Sequence, residues 1–188
     1  MVLGFITLVA YFQSQKRKQD TEAAHNQELQ RTSPLRSRFQ PLVSGINWPT
    51  DDGNFEEIEP KAIGRGIGTS SFRTPCVVLD LSTKDVWLPW CSWPIEVRAE
   101  SPESVQTVVV VEPIKHQTIR YTDGTPGYRQ DFKVWLLDPT SQRIKDRRLL
   151  LGGNPPQTIT VSKFDFAGKA EFGSPPDLQR WLTNLIGF

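Results

Sequence analysis

Cysteine is scarce. The 188 residues contain two, Cys76 and Cys91, which excludes a disulfide scaffold and leaves room for one bridge at most. Charge of one sign is missing as well: 22 Lys and Arg stand against 21 Asp and Glu, a net of +1. No global field therefore argues for nucleic acid or for a strongly acidic partner. No repeat of solenoid period is visible, and no run of residues matches a catalytic or cofactor signature with useful specificity. No cofactor and no bound metal are expected.

Long apolar runs are also lacking, with one exception. Met1–Phe12 (MVLGFITLVAYF) carries no charge and is followed by Lys16-Arg17-Lys18. A helix of about 12 residues reaches roughly 18 Å, against a hydrocarbon thickness of about 30 Å. A signal peptide would carry positive charge before the run and a small-residue cleavage site after it. The expectation is a membrane anchor over 1–15, truncated or spanning by local thinning, with an interfacial helix or a piece of core as alternatives. Basic residues on its C-terminal flank predict a cytoplasmic globular domain with free thiols; a domain outside the cytoplasm is the alternative. Residues 16–39 read as a polar helical stalk breaking near Ser33-Pro34. Residues 40–71 read as irregular linker and 72–188 as a globular β-rich domain.

The strongest structural signal runs from Val105 to Gly153. Thr107-Val-Val-Val-Val-Glu112 is a β-branched run that suits a strand covered on both faces. After Pro113 the pattern alternates, and Asp123-Gly-Thr-Pro-Gly127 reads as a hairpin loop. The return strand puts Tyr128, Phe132, Val134 and Leu136 on one face and Arg129, Asp131, Lys133 and Trp135 on the other. Asp138-Pro-Thr-Ser141 is a turn into a strand over 142–151. Upstream, Cys76–Leu81 is a first strand, Leu88–Pro94 is irregular because of its prolines, and Ser101-Pro-Glu-Ser104 is one capped turn. Ser174-Pro-Pro-Asp177 opens a helix to Ile186 with Leu178, Trp181, Leu182 and Leu185 as an apolar stripe. The predicted fold class is α+β, an antiparallel meander of about five strands with the C-terminal helix on one face, preceded by the membrane helix and stalk.

The stretch Pro94-Ile-Glu-Val-Arg-Ala-Glu-Ser-Pro-Glu-Ser-Val105, with Tyr121-Thr-Asp-Gly124, Gly127-Tyr128 and Lys133-Val134, resembles a group of uncharacterised bacterial membrane-anchored proteins with a "RA-SPE-V-TVV … YTDG--GY" pattern. The resemblance covers roughly the C-terminal 110 residues and rests on turns and caps. It implies a fold family and an anchor, and no activity.

Several constellations have bland readings. Gly64-Arg-Gly-Ile-Gly-Thr-Ser70 lacks the preceding strand and the lysine of a phosphate loop and reads as linker. Cys76, Cys91, His25 and His116 lack the close pairs of a zinc site. Asp123 suits turn chemistry better than a general-base role. Two features point further. Trp87, Trp90 and Trp93 either pack on the sheet or form an exposed partner-binding surface. Arg129, Lys133, Lys145 and Arg147, with Arg143, form a basic stripe that is either a solvated strand face or a surface for anionic lipid. The function expected is a membrane-tethered interaction module without catalytic activity, reaching the membrane through the N-terminal segment and binding a protein or anionic lipid. The alternative is a small enzyme with its site at the Trp87–Trp93 loop, using Cys91 or Asp123.

Overall fold

Val108, Val109, Val110 and Val111 are all buried, so one strand is covered on both faces and the sheet is built outward from it. The structure, a computed structural model, describes residues 2–50, 53–62, 72–158 and 170–185. In chain order these form α1 (Val2–Gly45), β1 (Glu56–Ile58), β2 (Cys76–Asp80), β3 (Asp85–Val86), β4 (Thr107–Arg120), β5 (Pro126–Leu137), β6 (Ile144–Leu150), β7 (Glu171–Phe172) and α2 (Leu178–Leu185). Short 3₁₀ turns occupy Leu88–Ser92 and Pro102–Ser104.

The strands make one seven-stranded sheet in the order β1-β6-β5-β4-β2-β3, with β7 also paired to β5. The meander β4-β5-β6 is antiparallel, but it is only the centre. β2 lies parallel to β4, β1 to β6 and β7 to β5. The antiparallel fold expected from the sequence is thereby corrected to a mixed sheet. Alternation reports which face of a strand is buried and says nothing about the direction of its neighbour, which long connections decide.

The N-terminal segment also requires correction. Among the described residues no helix is long and apolar enough to cross a membrane, which corrects the expected membrane anchor over 1–15 and the membrane-anchored placement built on it. Val2–Phe12 runs without interruption into Gln13 and the basic cluster, within a helix of 44 residues. That helix does not break at Ser33-Pro34. Pro34 and Pro41 lie inside it and are exposed, where water can reach the carbonyl groups that a proline leaves without an N–H partner. The opposite side carries Thr32, Leu35, Phe39, Leu42 and Val43 at helical spacing, Ile46 packs just past the helix end, and Phe39 is fully buried. The ion pair of Arg36 with Asp85, and Arg38 donating to the Glu100 carbonyl at 2.8 Å, fix this half of α1 to the domain.

β4 continues through Pro113 as a single strand of 14 residues. In the next hairpin, Asp138 Oδ1 accepts the Thr140 and Ser141 N–H groups at 3.0 and 2.8 Å. A bulge at Leu136/Leu137 then sets Trp135 opposite Arg147 and Lys133 opposite Leu149; a tight turn would have set Lys145 and Arg147 there. α2 is capped by Asp177, whose carboxylate accepts the Arg180 N–H at 2.9 Å. Leu178, Trp181 and Leu182 are buried, and Leu185 packs against the same core. The expected start at Ser174 is displaced because the Ser174 carbonyl instead accepts the Gly153 N–H at 2.8 Å.

Candidate binding site

β4 has 14 residues, against 5 in β2, the neighbour on its outer side. β2 pairs only with Thr107–Val111, and the Leu81 N–H donating to the Val111 carbonyl at 2.8 Å is the last backbone bond described on that flank. Among the described residues, β5 alone pairs with the strand from Glu112 to Arg120. This half of β4, with the half of β5 opposite it, forms an arm.

Both ends of the ladder fix which way the arm's backbone groups point. The Val111 carbonyl faces β2, so by strand alternation Pro113, Lys115 and Gln117 direct their backbone groups to the same, now open, side. From the other direction, the Tyr128 carbonyl accepts the Gly173 N–H and so faces away from β4. Its partner Gln117 faces away from β5 in turn. Proline is tolerated at 113 for this reason, since its missing N–H lies on the side without a neighbour.

Side chains divide by face. On one, Tyr128 and Phe172 stack at 5.5 Å with Lys115 Nζ 5.3 Å from the Phe172 ring, and Phe172 is exposed. On the other, Asp131 is fully buried. Its carboxylate accepts the Gly152 N–H at 2.8 Å and lies 2.9 Å from Arg129 Nε, and His116 Nε2 stands 3.5 Å away. A carboxylate so far from water is tolerable only because those donors compensate it. Lys115 and Arg120 are exposed and carry no carboxylate partner among the described residues.

No family model, no curated protein and no solved structure matches this chain.

The tryptophans lie elsewhere. Trp90 is fully buried, packs edge-on against Phe39 at 5.3 Å and donates to the Cys76 carbonyl at 3.1 Å. Trp93 is buried too, and the half-buried Trp87 bridges it to Phe132 at 6.1 and 5.9 Å. These rings cover the sheet. Cys91, in the same loop, is buried, and desolvation raises its thiol pKa against the pull of Arg36 and Arg98. Cys76 is pushed up to about 12 by burial in β2. Neither thiol has the electropositive, exposed setting of a nucleophile. Asp123 holds the hairpin by accepting the Thr125 N–H and hydroxyl at 2.9 Å each, which lowers its pKa. His25 lies on an exposed part of α1. The glycine run 64–70 lies outside the described residues.

The basic stripe is locally neutralised. Arg129 faces Asp131, Lys133 stands 3.9 Å from Glu112, and Lys145 stands 2.7 Å from Asp138. Arg147 is half-buried beside Trp135, and Arg143 is exposed.

A cavity of about 210 Å³ opens at the other end of the sheet, between Pro41 and Leu42 of α1, Ile46 just after it, and Val108, Asp138 and Gln142. Its carboxylate is a poor base. Lys145, followed by the Ser141 N–H, holds the Asp138 pKa well below the usual carboxylate range. A depressed folded-state pKa contributes stability that is present above about pH 4 and lost as pH falls further. Lys145→Met removes the largest cause. The melting temperature of that variant should therefore fall less steeply between pH 5 and 2 than that of the wild type, and parallel curves would show that the contact does not couple to folding.

The sequence reading missed the open edge of β4, the Asp131 cluster and Phe172. Pro113 was the available signal, a proline within an otherwise unbroken strand pattern. Nothing around Glu171-Phe172 announces a strand of two residues.

Proposed function

We propose that this chain is a binding module without catalytic activity of its own, and that its working surface is the arm formed by β4 beyond Val111 and its half of β5. The single observation that carries this reading is a strand held on one side only, whose outward backbone groups and exposed side chains from Lys115 to Thr118 have no cover among the described residues. A partner with complementary groups can use what folding leaves unsatisfied. The buried Asp131 holds Arg129 and His116 in place, so the surface is preordered and binding loses little entropy there.

A photo-crosslinking residue placed at Thr118 in cells should give discrete adducts, whereas the same residue at Thr140, an exposed turn position at the far end of β5, should not. The same diffuse pattern from both positions would remove the arm as a working surface.

A further inference from the structure

We propose that the open edge of β4 takes an extended, acidic peptide strand from another protein, which adds to the sheet beside Pro113–Arg120. The inference rests on the binding-module reading and names the class of partner.

The backbone fixes the mode. Lys115 and Gln117 present both an N–H and a carbonyl outward, and Pro113 adds a carbonyl, in the direction set by the Val111 carbonyl toward β2 and the Tyr128 carbonyl toward Gly173. An incoming strand meets the same alternating ladder that β2 offers to Thr107–Val111 and continues the lane in which β2 ends. The bulge between Gln117 and Ile119 limits that lane, so a short segment suffices.

Charge decides the occupant. Between Lys115 and Arg120 the ionisable side chains are Lys115, His116 and Arg120, with no carboxylate. Glu112, just before them, is 3.9 Å from Lys133, and Asp131 is taken up by Arg129 and Gly152. A second copy pairing edge to edge would set Lys115 and Arg120 against the same cations of its partner, and directly opposed like charges are destabilising. A strand with carboxylates on alternate residues meets Lys115 on one face, and one shifted by a residue meets His116 on the other.

The test is amide hydrogen exchange on the full chain, followed residue by residue, with an acetylated hexapeptide alternating glutamate and valine as probe. Without peptide, the Ile114 and His116 amides, which face β5, should exchange slowly, and those of Lys115 and Gln117 quickly. At saturation the latter two should slow by about tenfold or more, while a lysine-valine peptide or one N-methylated at alternate residues leaves them unchanged. Gln117→Pro removes an outward N–H at no expense to the β5 ladder and should weaken binding by about tenfold. Lys115→Glu with Arg120→Glu leaves the backbone intact and should reverse the preference between the two peptides. Unprotected Lys115 and Gln117 amides at saturation, or equal response to both charges, would overturn the proposal. So would protection that grows with protein concentration alone, which would make the occupant a second copy. Discrete crosslinks from Thr118 with no response to the peptide would leave the binding module standing and remove strand addition; failure of both removes both.

Discussion

Asp131→Ala should destabilise the fold by about 3 kcal/mol, lowering the melting temperature by roughly 6–12 °C for a domain of this size. The carboxylate is fully buried, and its loss leaves the Gly152 N–H without an acceptor and Arg129 without a counter-charge. Breaking a buried pair ranges up to about 5 kcal/mol, and the lower end applies because Arg129 is 29 % exposed and can reach water. Asp131→Asn keeps an acceptor for Gly152 and should lose about half as much. Thermal unfolding of the three proteins checks this. Equal stability of Asp131→Ala and wild type would mean that the cluster contributes no net energy.

Trp90→Ala is expected to be the most damaging single change, at about 4 kcal/mol. The ring is fully buried, and truncation removes its edge contact with Phe39 and its hydrogen bond to the Cys76 carbonyl. That carbonyl retains the Ala99 N–H at 2.8 Å, so the loss is mainly cavity and packing. Because Phe39 is the fully buried contact of α1, this variant should also loosen the helix: limited proteolysis should cut between Ser33 and Ser44 before the sheet is attacked. Trp87→Ala, at a half-buried position, should cost clearly less. A similar loss from both in denaturant titrations would contradict the burial described.

The central meander was legible in the sequence because its signals are local. The valine run, the Asp123-Gly124 hairpin and the Asp138 turn each fix a strand or a reversal through residues a few positions apart. The parallel partners were not legible, since nothing in Cys76–Asp80 states that Thr107–Val111 will lie beside it. α1 was misread for a physical reason: its inward stripe, Leu35, Phe39, Leu42 and Val43, straddles Pro41 and a composition change that looked like a boundary. Pro113 appeared to end a strand, although its outward nitrogen removes nothing from the β5 ladder. The three tryptophans in their proline-broken loop were readable as aromatic cover or as a surface; only packing against Phe39 and Phe132 decides between the two. Of the candidate site, Arg129 was singled out beforehand as part of the basic stripe, whereas Lys115 and Arg120 were not, and the carboxylates that neutralise most of that stripe depend on register.

The mixed direction of the sheet also governs the order in which the chain can assemble. β4, β5 and β6 follow one another through short turns, so their pairing needs little loop closure, whereas Glu56 must find Arg148 across most of the domain and Gly127 must find Glu171 well beyond the end of β6. Closure entropy is spent before such distant contacts return anything. Folding time is therefore set at the margins of the sheet and not at its valine centre. A nascent chain that has released only its meander still lacks β7 and the Leu178, Trp181 and Leu182 face of α2, and its core closes only when those last residues arrive.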